Sequence, residues 1–422
     1  DYWPILGRFE KESNSTGHMI DIDYKYKSDI SSQFNVTVRD KKYSDYYKLN
    51  GQLDNQTILV RSQSRLNFLD KSINGDLFYE VSTQKTAKLE KVFVQVQKGN
   101  GNYIYLGDLN GNGIADEYEY EPTLYDGEFI LITIPSDKLY PVIDLKTSTR
   151  WKIEMEELID TDNLLATIVK PLSTETVFRI EENTQELDYK KIYLLNLSAF
   201  QNEKLTLRGT NFFQQDFFIF ENSSSLSFRL RYSQRRSLTQ FASGTEKGFA
   251  KERGVRIRFR MIEEISNLTE FGVNDDNVAA IITSNRNRKI NSNFLNTDFS
   301  YRPQRNIEVG LKLKYSESTD SYPQKPTIVN LNGQGIRFNY SFSGLGRLRI
   351  ELERNELLSN STENFLPYEL TGGNTVGKNY FWRVNFDYRF GLNIQSTASY
   401  DGRLQGTGRI IHTARAEVRA FF

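Results

Sequence analysis

The feature that most restricts this chain is a period-two alternation of apolar and polar side chains, sustained over runs of about nine to eleven residues. From Asn379 to Phe390 the even positions Tyr380, Trp382, Val384, Phe386, Tyr388 and Phe390 are apolar or aromatic, whereas Phe381, Arg383, Asn385, Asp387 and Arg389 stand between them. Ile307, Val309, Leu311, Leu313 and Tyr315 oppose Glu308, Gly310, Lys312 and Lys314 in the same way. Ile20, Ile22, Tyr24 and Tyr26 oppose Asp21, Asp23, Lys25 and Lys27 near the start. Side chains on a strand point to alternate faces, so each run is a strand with one apolar and one wet face. Its length is what a tilted strand needs to cross a bilayer. No run of 18 apolar residues exists, so no helix is expected to span a membrane.

Alternation alone also suits a soluble sandwich, where the apolar face is core. The spacing of connections separates the two. Tight turns are expected at Phe390-Gly391, Ser343-Gly344-Leu345 and Pro303-Gln304, and longer connections at Leu357–Gly377, Ser316–Gln334 and Glu264–Asn291. Short and long alternate, as they do when every second turn is periplasmic and the others are external. Two stretches depart from that parity, Gln234–Gly254 and Asp401–Gly408. The expected fold is all-β: an antiparallel transmembrane β-barrel of about 12–16 visible strands with an inserted small β subdomain.

The segments read as follows: 1–97 as N-terminal barrel strands, 98–147 as the insert, 148–157 as a barrel strand, 158–222 as a long loop or extra strands, and 223–422 as C-terminal barrel strands. The last strand ends on an aromatic, with Val418, Ala420 and Phe422 on one face. Such an ending resembles the signal read by barrel-assembly machinery, which is thereby an expected partner alongside outer-membrane lipid. The chain begins Asp1-Tyr2-Trp3-Pro4, without Met or a leader, and reads as a processed protein or part of a longer one.

The polar face is rich in arginine. Arg229, Arg231, Arg256, Arg258, Arg260, Arg337, Arg349 and Arg383 fall on it, with Arg347, Arg389, Arg415 and Arg419 on the same parity, and are candidate lumen-lining residues. Glu308, Glu351, Glu353, Asp387 and Glu417 share that face. One reading is a salt-bridge lattice between neighbouring strands; the other is a pore with an anion-selective lining. Over the whole chain 54 basic side chains balance 54 acidic ones, which argues against a nucleic-acid partner.

The stretch around Lys98–Tyr140 breaks the strand pattern. Asp108, Asn110, Asn112, Gly113, Ile114, Asp116 and Glu119 fall at the positions of a calcium loop, D-x-[DN]-x-[DN]-G with an acid at position twelve. Calcium takes six to eight oxygens, and these side chains, with the Ile114 carbonyl, are oxygen donors, so Ca2+ is the expected cofactor. The same residues also make a plain Asn-Gly turn with acids facing water. Asn102–Leu106 before the loop reads as a strand, so this is no helix-flanked EF-hand.

Gly99-Asn-Gly101-Asn-Tyr103-Ile-Tyr105 followed by Asp108-Leu-Asn110-Gly111-Asn112-Gly113, and the ending Ile411-His412-Thr413-Ala414-Arg415-Ala416-Glu417-Val418-Arg419-Ala420-Phe421-Phe422, resemble signatures in very large outer-membrane proteins of Bacteroidota and Chlorobi-type bacteria. Those proteins carry Gly where this chain has Ala414. The resemblance is loose over the chain and tight over the two motifs. It implies the C-terminal part of a large barrel in the cell outer membrane, distantly like the type IX secretion translocon, with protein partners in an outer-membrane complex.

Catalysis finds little footing. There is no Cys, and the two histidines, His18 and His412, lie far apart. His412 alternates with Ala414 and Ala416 onto the apolar face, and no Gly-x-Ser-x-Gly or phosphate loop is present. The chain is therefore expected not to be an enzyme. The functional expectation is a channel, translocation pore or structural scaffold; the alternative is a secreted, calcium-stabilised β-rich adhesin or binding protein.

Overall fold

The computed structural model describes every residue except 1, 6, 7, 50–53, 110, 114, 160–162, 187, 197, 199, 282, 283, 285, 362–365, 392 and 422. Twenty-one strands are present among the described residues, and the fold is an all-β antiparallel barrel. No helix among the described residues is long and apolar enough to cross a membrane. The chain divides into two compact units, Asp1–Gln215 with Gln234–Gly248 and Ala279–Asn285, and Asp216–Ser233 with Phe249–Val278 and Arg286–Phe422.

The first unit opens with a hairpin of β1 (Tyr2–Ile5) and β2 (Arg8–Lys11). It continues through β3 (Ser13–Tyr26), β4 (Ile30–Tyr43), β5 (Asn55–Phe68) and β6 (Ile73–Gln95), which pair antiparallel in that order. β7 (Gly101–Tyr105) and β8 (Tyr120–Gly127) form the insert. β9 (Phe129–Glu154) then returns along β6, from Gln95↔Phe129 to Ile73↔Ile153, and pairs with β10 (Leu172–Thr184). β11 (Thr206–Ile219) begins in this unit. Strand pairing thus resumes at Phe129, inside the segment 98–147 expected as the insert. The segment 158–222 holds β10 and β11 with short helices at Leu164–Val169 and Tyr189–Tyr193.

The second unit holds the lower parts of β12 (Leu226–Phe241) and β13 (Gly244–Ile262), whose tip lies in the first. It continues with β14 (Ile265–Ala279), β15 (Arg288–Gln304), β16 (Ile307–Asp320), β17 (Thr327–Phe342), β18 (Gly346–Ser359), β19 (Gly377–Phe390), β20 (Ile394–Gln405) and β21 (Ile411–Ala420). Each neighbours the next in antiparallel register.

The count exceeds 12–16, and two expected connections are largely strand: one holds an added strand and the other lengthens β12 and β13. Glu264–Asn291 contains β14, whose apolar face is interrupted by Asn267 and Thr269. Gln234–Gly254 is the tip of a hairpin, turning at Ala242–Ser243. Arg235, Arg236 and Ser237 occupy both of its faces there, so the ladder persists where alternation fades. With these corrections the tight turns of the second unit at 263–264, 305–306 and 343–345 share one end of their strands.

The apolar face is the exposed one. Ile20 and Ile22 on β3 are 61% and 54% exposed, and Leu311 and Tyr315 on β16 are each 44% exposed. In water so much large apolar surface would be costly, and its place is the hydrocarbon of a bilayer. On β16 the face runs apolar from Ile307 to Tyr315, about 25 Å at the rise of a strand, before Glu317 ends it. That matches the lipid band of a transmembrane barrel. Tyr340, Phe342, Phe386, Tyr388 and Phe390 meet at 4.7–6.0 Å between ring centroids near the tight turns, where an interfacial aromatic girdle belongs.

Aromatic size on this face is matched by glycine across the strand. Trp382 lies directly opposite Gly402, and a Cβ there would sit within the indole ring. Gly75 and Trp151 repeat the arrangement. Gly402→Val is therefore expected to cost about 1–3 kcal/mol by overpacking, read as a lower unfolding midpoint in detergent, with Gly17→Val, whose site is open, as the neutral control.

Candidate functional site

The candidate site is the polar face of the second unit. Register sets it: Arg337, Glu351, Arg383 and Asp401 lie in one cross-strand row, and the outward Ile336, Leu352, Trp382 and Gly402 in the next. Of the eight arginines singled out above, six are ion-paired. Arg231 holds Asp216 through two bonds of 2.8 Å. Arg229 and Arg256 share Glu270, at 3.4 and 2.8 Å. Arg337 forks onto Asp298 at 3.1 Å and Glu308 at 3.0 Å. Arg349 pairs with Glu351, and Arg383 bridges Asp401 at 2.5 Å and Glu351 at 3.8 Å. Arg258 donates instead to the carbonyls of Glu221 and Ser223. The side chain of Arg260 makes no ion pair among the described residues.

Most pairs lie between neighbouring strands, so the lattice fixes register while each bond adds little in contact with water. Arg337 and Arg383 each serve two carboxylates, but Arg337 is the more buried, lying over Gly310. Arg337→Met would leave Asp298 without its cation and Glu308 with the exposed Arg302 alone. A loss of about 1–2 kcal/mol is expected, larger than for Asp298→Asn, measured as the temperature at which heat-modifiable gel mobility is lost.

One feature of this face was not expected. The connection between β18 and β19 turns onto the polar side. Leu366 and Leu370, on and beside the short helix Tyr368–Thr371, pack on Ile290, Val329 and Leu357. Leu357 lies on the parity of Glu353 and Asn355, so the contact is inward. Arg288 holds Glu369 at 2.7 Å, Asn355 holds Asn374 at 3.0 Å, and Gln405 donates to the Gly373 carbonyl at 3.0 Å. Beside this loop lies a cavity of about 770 Å³, walled by Lys314, Glu353, Arg383, Asp401 and Arg403. The signal in the sequence was apolar side chains on the wrong parity: Val329, Leu331 and Leu357.

The calcium-like loop sits in the insert. Both oxygens of Asp108 accept backbone N–H groups, from Gly111 at 2.7 Å, Asn112 at 3.2 Å and Gly113 at 2.8 Å. The fully buried Glu119 accepts from Leu109 N at 2.8 Å and Asp116 N at 3.0 Å. Asn112 donates to Asp116. Asn110 and Ile114 lie outside the described residues. Among the described residues no three acidic, His or Cys side chains gather as a metal-holding group; as placed, the carboxylates hold the turn. Phe93 stacks on Tyr120 at 3.7 Å, with Tyr105 and Phe129 beside it. Burial, and then the Glu119 carboxylate, push the Tyr105 and Tyr120 hydroxyls above their ordinary pKa. Lys91 of β6 ties the insert down through Glu117 at 3.0 Å.

At the end of the chain, Val418 is 68% exposed on the apolar face, and Ala420 pairs with Ile394. Phe422 lies outside the described residues. His412 also stands on the apolar face, with Nδ1 2.8 Å from the Tyr400 hydroxyl and its ring near Trp382.

A barrel with a lipid-sized apolar outer band and a charged inner face is a transmembrane β-barrel of the outer-membrane type, and this chain resides in the cell outer membrane in contact with its lipid. No family model and no curated protein matches it. Among solved structures it is similar to the FrpB iron transporter of Neisseria meningitidis, F3-3 variant (9% identity, TM-score 0.47, 98% of this chain and 67% of that one). It is also similar to the ferric-catecholate import receptor Fiu of E. coli K12 (10%, 0.43, 93% and 64%) and to outer-membrane OmpT of Vibrio cholerae (8%, 0.31, 82% and 98%). The chain spans about two thirds of the length of the two iron-transport proteins.

Proposed function

We propose that the barrel is an outer-membrane channel whose lumen is the ion-paired polar face, narrowed by the inward loop between β18 and β19. The observation that carries this reading is the placement of charge. Arg337, Arg383 and their carboxylates line the face opposite Leu311 and Ile336, and retain 18–57% side-chain exposure. A scaffold needs no such wet inner wall; a conduit for polar solutes does. A soluble sandwich would bury the apolar faces that here lie open.

Two measurements test the proposal. The protein should stay with outer membranes after carbonate washing and shift in gel mobility on boiling. Purified in detergent and added to a planar bilayer, it should give discrete conductance steps. Retention without conductance would leave a scaffold.

A further inference from the structure

Near the tight turns, the polar face of β18 to β21 is no longer balanced. Three successive cross-strand rows converge there. Arg349, Asn385, Ser399 and Arg415 form the first, and Arg347, Asp387, Thr397 and Glu417 the second. Arg389, Gln395 and Arg419 form the third. Rows on one face are two residues apart, about 7 Å. Five arginines therefore meet two carboxylates on one small area of wall.

The pairing is correspondingly incomplete. Glu417 is shared between Arg415 at 3.4 Å and Arg419 at 2.5 Å. Arg349 turns away toward Glu351. Arg347 and Arg389 are exposed and make no ion pair among the described residues. The arginines face two hollows, of about 510 and 430 Å³, whose other walls carry the donors Asn385, Thr397, Ser399 and Gln395, with Asp387 in both and Glu417 in the larger. Higher on this face Arg231, Arg256, Arg337 and Arg383 each hold a carboxylate. Here cationic forks are left facing a hollow lined with further hydrogen-bond donors.

Resting on the channel reading, we infer that this end of the lumen is an anion subsite, which takes phosphate- or carboxylate-bearing solutes and makes conduction anion-selective. Guanidinium groups match such oxyanions with paired N–H bonds. Water keeps them charged, and the low-dielectric wall concentrates their field on the passing solute. Arg347 and Arg389, without carboxylates of their own, would hold the anion, and Arg415 and Arg419, which share one carboxylate, would add to the field that draws it in.

The test is the reversal potential of single channels in a KCl gradient, for wild type, the charge-reversed Arg347→Glu/Arg389→Glu double variant and the milder Arg347→Gln/Arg389→Gln variant. Wild type should show a several-fold preference for chloride over potassium. The neutral variant should lose most of it and the reversed variant should change its sign. Inorganic phosphate should lower wild-type chloride conductance more than that of the neutral variant. A conducting wild type without anion preference, or a preference unchanged in both variants, overturns the inference and leaves the channel intact. Absence of conductance from heat-modifiable, folded protein removes both.

Discussion

Replacing Leu311 by Arg is expected to destabilise the barrel by about 2–4 kcal/mol, the cost of a charged side chain on the lipid face near the bilayer midplane. Leu311 is the middle of the five outward side chains of β16, from Ile307 to Tyr315, so an arginine cannot reach either interface without bending past its neighbours. Phe299 and Ile336 stand directly across from it on β15 and β17, and neither offers a hydrogen bond. Leu311→Ala should cost under about 1 kcal/mol, because the removed atoms contact lipid tails and leave no sealed cavity. Lys312→Leu, one residue along and on the wet face, should also be mild. The pattern separates the membrane from a protein core: inside a sandwich, Leu311→Ala would itself cost about 2–5 kcal/mol. Unfolding midpoints in lipid vesicles, read by heat-modifiable mobility, decide it. Equal tolerance of Arg and Ala would remove Leu311 from the bilayer.

What could be read from the residues follows from how local each determinant is. The alternation on β16 and β19 is local, and both strands run with the expected faces outward. So is the polar parity of the arginines, although which carboxylate each one meets depends on register between strands. Strands were missed where they leave the apolar band, at Gln234–Gly254, since water on both sides removes the pattern but not the backbone ladder. The loop from Asp108 to Glu119 matches a calcium template whose acids can both hold a cation and tie their own backbone, and Asp108 and Glu119 bond to backbone N–H groups. The path of the β18–β19 connection was illegible for a different reason. Its destination is set by partners far along the chain, Ile290 and Val329, and the signal was confined to Val329, Leu331 and Leu357, apolar side chains on the polar parity.

That connection yields the second large effect. In the Leu366→Asp/Leu370→Asp double variant the loop should leave the wall and single-channel conductance should rise clearly, with the barrel still folded. Leu366 and Leu370 are 7% and 4% exposed against a patch that includes the fully buried Leu357. Losing their burial removes about 3–6 kcal/mol of docking, and unpaired carboxylates in that patch would cost more. The remaining ties are the Arg288–Glu369 pair and the hydrogen bonds at Asn374 and Gly373, each about 0.5–1.5 kcal/mol net. They cannot hold the loop against such a loss. The strands themselves keep their register, because Ile290, Val329 and Leu357 sit on ladders that do not need the loop. The cavity beside Arg383 and Asp401 would then open to the lumen along its full side. Arg288→Ala removes only one tie and should give brief openings rather than a lasting rise. If the double variant conducts as wild type does, the loop is not the narrow part of the path, and the ion-paired wall itself must set the limit.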